Sequence, residues 1–324
     1  MKKHKAEKIN GVFINPHIKD EKRALTSFRV WIWKMGLIGD HYDPIPKGFK
    51  YPKPKLDFHP KKPWAMWIGH NTYLISCGGV HILTDPHWSN YCSPIPLLQY
   101  KRYVEPPLEI DQLPKIDFVL ITHDHYDHLD RKSIKKLFKR FPNILWIVPE
   151  GLKEWFGKFG IHNVKELNWW DEVTIDGSFK ITSVPCQHFS GRMSMYSNKT
   201  LWQGIVFQDL RNSKTFYLAG DTGYNPFDFK QIGENFPKID LSIICIGGYA
   251  PRKMMFQMHS SSFETVKIHQ EIGSILTLAS HWKTFKVSDE PMEQPPFELY
   301  RDMKKANVDF STFLVLEIGE KVNW

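Results

Sequence analysis

Apolar runs that read as strands recur along this chain, and several of them stop at a histidine or an aspartate. Residues 116–121 and 241–246 are predominantly apolar stretches, each broken by one polar residue (Asp117, Ser242), of the kind that fill a buried strand. Residues 67–76 and 81–84 read as two strands joined at Gly78-Gly79, with Asp85-Pro86 ending the second. Further strands are expected over 144–148, 164–169, 179–185 and 274–279, a hairpin-like pair over 201–208 and 215–219, and a final strand over 312–318. Helices are expected over 131–140, where Asp130 is placed to cap the N-terminus, over 150–159 before Gly160, and over 295–306. Ser261 and Glu264 have the spacing of a capping box and should open another helix, running to about Ile272. Strands and helices interleave from Trp64 onward. The chain therefore divides into an N-terminal arm, 1–63, and one α/β domain, 64–324, with a site expected where strand ends meet loops along one edge.

The most informative stretch is Thr122-His123-Asp124-His125-Tyr126-Asp127-His128-Leu129-Asp130, between strand 116–121 and helix 131–140. Imidazole nitrogen and carboxylate oxygen suit zinc and other borderline divalent metals. Four such side chains within six positions crowd a single tetrahedral ion. Two adjacent ions relieve the crowding, with His123 and His125 facing one, and Asp127 and His128 the other. Three other strand ends deliver ligand-type residues: His188 after 179–185, Asp221 after 215–219 and His281 after 274–279. His70, inside the run 67–76, reads as a core or rim histidine. No GxSxG, P-loop or dinucleotide fingerprint competes with a metal-based chemistry.

The 324 residues suffice for one large core, and 42% hydrophobic with 24% charged residues is a globular balance. A net charge of +8 favours anionic partners, and an anionic membrane surface is the expected one. No separate basic recognition module or long Lys/Arg run is present, so nucleic acid is not an expected partner. Four scattered cysteines without CxxC spacing read as buried thiols of a reducing compartment. The start lacks the apolar region of a secretory signal, and no apolar run reaches the ~18 residues of a membrane span. The expected localisation is cytoplasmic with peripheral membrane association. Residues 28–38, aromatic and aliphatic with Arg29 and Lys34 among them, suit a membrane-interface segment. The loop from Pro94 to Leu98 is a second candidate. Pro44, Pro46, Pro52, Pro54, Pro60 and Pro63 make an extended connection to the domain.

The order HxHxDH, a later His, Gly-Asp-Thr-Gly and a Ser-His near the C-terminus resembles the metallo-β-lactamase superfamily over about residues 64–320. The resemblance implies the αββα sandwich. It also implies two zinc ions, with iron or manganese as the other candidates. On that mapping His123, His125 and His188 hold one ion, Asp127, His128 and His281 the other, and Asp221 bridges ions about 3.5–4 Å apart.

A closer likeness runs through Trp67-Ile68-Gly69-His70-Asn71-Thr72, Leu83-Thr84-Asp85-Pro86, Ala219-Gly220-Asp221-Thr222-Gly223-Tyr224, Tyr249-Ala250-Pro251-Arg252, Met258-His259 and Ser280-His281-Trp282-Lys283-Thr284-Phe285. These resemble the N-acyl-phosphatidylethanolamine-hydrolysing phospholipase D family. The resemblance implies a phospholipid substrate, cut to phosphatidic acid and an N-acylethanolamine. It implies catalytic roles for Asp127, Asp221 and His259, and substrate contacts from Gln99, Tyr100, Tyr126 and His259. The chain departs from the family pattern at Ser260-Ser261-Ser262 and over 189–199, where acyl and head-group preference would be set. Hydrolysis of a lactone or sugar-phosphate lactone on the same fold is the alternative activity. An oligomer is compatible with all of these readings.

Overall fold

The computed structural model describes residues 3–18, 40–95, 100–192 and 197–324. The candidate membrane segment 28–38, Gln99 and residues 96–98 of the second candidate loop lie outside the described residues.

Near the N-terminus, β1 (Lys8–Ile9) and β2 (Val12–Phe13) form a small antiparallel hairpin. Two seven-stranded sheets follow. The first holds β3 (Trp64–Gly69), β4 (Thr72–Cys77), β5 (Val80–Thr84), β6 (Phe118–Leu120), β7 (Leu145–Pro149) and β8 (Val164–Leu167). The second holds β9 (Glu172–Ile175), β10 (Phe179–Val184), β11 (Gly204–Asp209), β12 (Lys214–Leu218), β13 (Ile239–Cys245), β14 (Ser274–Ser280) and β15 (Phe313–Leu314). The chain then returns to the first sheet, where β16 (Lys321–Asn323) pairs antiparallel with β3.

Strand direction explains where the helices lie. Parallel neighbours need a crossover, and a helix is the usual one. Parallel β6, β7 and β8 are linked by α1 (Arg131–Arg140) and α2 (Lys153–Gly157). Parallel β12, β13, β14 and β15 are linked by α3 (Asp228–Asn235), by α4 (Arg252–Met255) with α5 (Ser262–Glu271), and by α6 (Gln294–Lys305). Two of the helix starts follow from sequence. Asp130 accepts from Lys132 N (3.1 Å) and Ser133 N (3.3 Å), and Ser261 with Glu264 closes a capping box.

Side chains alternate across each strand and feed two apolar layers. Phe118, Leu120, Leu145 and Ile147 face the space between the sheets, with Phe179, Phe207, Phe216 and Leu218 opposite. Val119, Ile121, Trp146 and Val148 point the other way, onto Ile134 and Leu137 of α1 and Phe156 of α2. The outer face of the second sheet is covered by Phe229 of α3, Val266 of α5 and Leu299 of α6. The architecture is the αββα sandwich, and its inner strands are largely apolar because both of their faces are buried.

Several local expectations change. The run 67–76 is not one strand: Gly69 pairs with Thr72, and the chain reverses at His70-Asn71. Gly69 (φ 134°) and His70 (φ 52°) take the left-handed conformations of that reversal, which the apolar pattern running through it conceals. Helix 150–159 contracts to α2, the expected strand 312–318 contracts to β15, and a further strand, β16, follows it. The β1–β2 hairpin, β9 and α3 carry weak apolar patterns and were not expected. The hairpin is anchored nonetheless. Phe13 is fully buried, its N–H donates to Asn198 O (2.8 Å), and Asn15 Nδ2 donates to His188 O (2.8 Å).

Candidate metal centre

The loop 122–130 leaves the end of β6 and is held from two sides. Inside, the fully buried carboxylate of Asp85, just past β5, accepts from Thr122 N (2.8 Å), Thr122 Oγ1 (2.7 Å) and Asn71 Nδ2 (2.6 Å). It also faces His128 Nδ1 at 2.8 Å. Because a carboxylate is the acceptor there, His128 donates through Nδ1 and presents Nε2 to the cluster. Outside, Asp124 accepts from Gly191 N (2.7 Å), and Arg192 donates to the carbonyls of Asp124 (2.7 Å) and Leu129 (2.8 Å). The partners that clasp the loop thus follow directly on His188 in the chain. His188 in turn donates through Nδ1 to Met258 O (2.9 Å) and presents Nε2.

The residues that sequence singles out at strand ends meet here. His123 Nε2 and His125 Nδ1 lie 2.9 Å apart, and His188 Nε2 lies 3.2 Å from His125 Nδ1. Asp127 Oδ2 has His281 Nε2 at 3.4 Å and His128 Nε2 at 3.5 Å. Asp221 Oδ2 stands between the two groups. It has His128 Nε2 and His281 Nε2 both at 3.1 Å, His188 Nε2 at 3.8 Å and His123 Nε2 at 3.9 Å. His125, Tyr126 and Asp127 are half-buried while the rest of the cluster is buried, so the centre opens towards solvent on that side.

Protonation follows from this packing. Burial pushes His123 well below the ordinary imidazole range, His125 to about 4 and His188 to about 3, so all three present neutral lone pairs. Burial alone would raise the two aspartates. Adjacent His128 outweighs it for Asp127, and His128 with His281 for Asp221, so both carboxyls sit well below their usual range. Burial likewise opposes charge on His128 and His281. The same carboxylates override it, lifting His128 well above its ordinary value and His281 to about 9. The positive charge that these two carboxylates demand thus falls on protons at His128 and His281, the place a divalent cation would take. Buried His128 Nε2 and His281 Nε2 lie 3.1 Å from Asp221 Oδ2 but make no hydrogen bond of good geometry among the described residues. Convergent imidazoles and ionised carboxylates, with ring nitrogens that no well-formed hydrogen bond satisfies, together fit a divalent metal centre.

His70 joins the cluster, contrary to its reading as a core or rim histidine. The reversal after β3 turns its side chain inward, and Nε2 lies 2.9 Å from Asp127 Oδ2. Its ring centroid is 4.0 Å from that of His281. The sequence signal was the motif Trp67-Ile68-Gly69-His70-Asn71-Thr72, whose turn the apolar pattern hid. Asp85, Asp124, Arg192 and Cys245, which touch or support the ligand-type residues, were not singled out from sequence as site residues. Cys245 Sγ lies 3.1 Å from Asp221 Oδ1.

His259 also enters, grouped with His188 and Asp221. Its ring lies against Gly248, where an added Cβ would come within 2.7 Å of Nδ1, so a side chain at 248 would displace it. Tyr126 lies beside the ligands, with the Arg192 guanidinium 4.1 Å from its ring centroid. Tyr100 is joined through its backbone carbonyl to Cys92 N (3.1 Å).

A family model described as a β-lactamase superfamily domain matches residues 81–282. N-acyl-phosphatidylethanolamine-hydrolyzing phospholipase D 1 of Caenorhabditis elegans is 34% identical over 275 residues, covering 82% of this chain and 77% of that protein. The mitochondrial N-acyl-phosphatidylethanolamine-hydrolyzing phospholipase D of Saccharomyces cerevisiae is 33% identical over 237 residues, 72% of this chain and 50% of that protein. Among solved structures, an isothiocyanate hydrolase from Delia radicum gut bacteria matches with a TM-score of 0.64 at 18% identity, over 81% of this chain and 99% of that one. This last is a likeness of fold.

Proposed function

This chain belongs to the metallo-β-lactamase superfamily, and from that premise we propose that it is a two-metal phosphodiesterase that cleaves N-acyl-phosphatidylethanolamine to phosphatidic acid and an N-acylethanolamine. The metal-dependent hydrolase class follows from the family and the His/Asp cluster together. The lipid substrate is supported by the identity to the C. elegans phospholipase, in a chain whose ligand-type residues all converge on one cluster.

His123, His125 and His188 would hold one ion, and Asp127, His128 and His281 the other, with Asp221 between them; zinc, iron and manganese all suit such donors. Ions held there would supply a water of lowered pKa and positive charge to offset the negative charge developing on a phosphoryl oxygen. The chain's own groups do the rest. Asp85 and Met258 O fix which nitrogen His128 and His188 present. Loop 188–192 holds loop 122–130 in place through Asp124 and Arg192. In the reaction, water adds to phosphorus, the bond from phosphorus to the ethanolamine oxygen breaks, and the proton that the water loses passes to that oxygen. His259 is the side chain we place beside the phosphate or the departing oxygen. Tyr126, on the open side, and Gln99 and Tyr100 are assigned to the head group.

No helix among the described residues is long and apolar enough to cross a membrane. We assign contact with an anionic membrane surface to segment 28–38 and to the loop from Pro94.

The test is mass spectrometry of products after incubation with N-acyl-phosphatidylethanolamine vesicles, with Asp221→Asn as control. Release of N-acylethanolamine and phosphatidic acid by the wild type alone is the expected result. No release from a metal-loaded wild type would discard the lipid substrate, and soluble lactones would be assayed next.

A further inference from the structure

Strands β12, β13 and β14 run side by side and parallel, so their C-terminal ends share one edge of the sheet. Asp221 follows β12, Cys245 ends β13, and His281 follows β14. The register sets Cys245 opposite Ser280, the residue before His281. A cysteine therefore stands between the two strand ends that deliver Asp221 and His281.

The contacts give it a task. Cys245 Sγ is 3.1 Å from Asp221 Oδ1 and 3.2 Å from Gly220 O, while Ser280 Oγ donates to the sulfur at 3.6 Å. The thiol hydrogen is the only proton on the sulfur, and it serves two acceptors from consecutive residues. On the other side of the same carboxylate, Oδ2 faces the imidazoles of His128 and His281, both at 3.1 Å. The two oxygens of Asp221 are thus divided between a thiol and the ligand cluster.

We infer that Cys245 is a positioning residue, whose thiol holds Asp221 Oδ1 so that Oδ2 is the oxygen presented to the metal ions. The terminal torsion of an aspartate is soft and roughly two-fold, so the chain's own geometry does not choose which oxygen faces the cluster. A donor on one oxygen makes the choice, and anchoring the same sulfur to Gly220 O ties it to the backbone that carries Asp221. A thiol suits the position because it is a small, weak donor that is easily buried. The inference rests on the assignment of Asp221 as a ligand in the proposed function.

The test compares wild type, Cys245→Ser and Cys245→Ala, each loaded with Zn2+. Circular dichroism and a thermal melt verify the fold, and competition with a chromogenic chelator measures Zn2+ retention. Cys245→Ala should lose about 10–100-fold in affinity for the more weakly held ion, the usual cost of removing a partner that orients a ligand. Cys245→Ser, which keeps a hydroxyl donor, should stay near wild type. Retention by Cys245→Ala equal to wild type would overturn the inference. So would equal losses in both variants, which would assign the effect to sulfur's volume. If the alanine variant does not fold, a ten-fold loss in the serine variant overturns it by itself. A wild type that binds no Zn2+ would instead overturn the ligand assignment on which the proposed function rests.

Discussion

Replacing His70 by alanine tests whether a residue hidden in a turn governs the centre. Its Nε2 lies 2.9 Å from Asp127 Oδ2, and its side chain is fully buried. A carboxylate only accepts, so His70 donates through Nε2, and burial, aided by neighbouring His281, lowers its pKa to about 3. A neutral imidazole thus holds an ionised ligand by a charge-assisted bond. Such a bond is worth about 1.5–3 kcal/mol. At about 1.4 kcal/mol per decade, the His70→Ala variant should lose about 10- to 150-fold in kcat/KM on N-acyl-phosphatidylethanolamine vesicles, and a comparable factor in Zn2+ retention. The backbone at this position has its own anchors and should hold the turn: His70 N receives Thr284 Oγ1 as acceptor at 2.6 Å, and His70 O accepts from His281 N at 3.0 Å. His70→Gln is the control, because its Nε2 occupies nearly the place of the imidazole Nε2, and it should recover most of the loss. A folded His70→Ala protein within two-fold of wild type in both assays would refute the reasoning. A glutamine variant as poor as the alanine one would move the effect from the hydrogen bond to packing.

Three further outcomes are expected. Asp221→Asn keeps the volume but removes a buried charge between several imidazoles; at about 3–5 kcal/mol for breaking such a set, activity should fall at least about 100-fold, and near-normal turnover with metal bound would refute the assignment. Phe13→Ala should destabilise the protein by about 3–5 kcal/mol in denaturant unfolding, because the side chain is fully buried in the main core, and a change near zero would show that the hairpin is dispensable for stability. His269, buried on α5, is lowered by burial to about 4, so the unfolded chain takes a proton below about 6.5 that the folded one refuses. Its contribution is full above pH 6.5 and is lost as pH falls towards 4. A gap of about 2.5 pH units makes this about 3 kcal/mol, which His269→Gln should remove from the acid dependence of stability. An unchanged acid slope would refute it.

Elements could be read from sequence where one local cause sufficed. The strands β6 and β7 are apolar runs and β13 is largely apolar because both faces are covered, and α1 and α5 begin at side chains that cap their own backbone. The hairpin β1–β2, β9 and α3 could not be read in this way. Their stability comes from what they pack against, as Phe13 and Phe229 do, and a few apolar residues among polar ones carry no distinctive period.

The sequence by itself determined the chemistry on offer. His123, His125, Asp127 and His128 lie within one loop, so their donor types and spacing follow from composition over a handful of positions. The tertiary structure decided the geometry. It brought His188, Asp221 and His281 to that loop because they end strands of one sheet whose edge faces it, an arrangement set by sheet order and not by local pattern. It also selected which atoms are presented. Asp85 turns His128 through a contact across 43 positions, and Cys245 holds one oxygen of Asp221 across 24. Such contacts join parts of the chain that no local periodicity relates, because they exist only once the two sheets have packed.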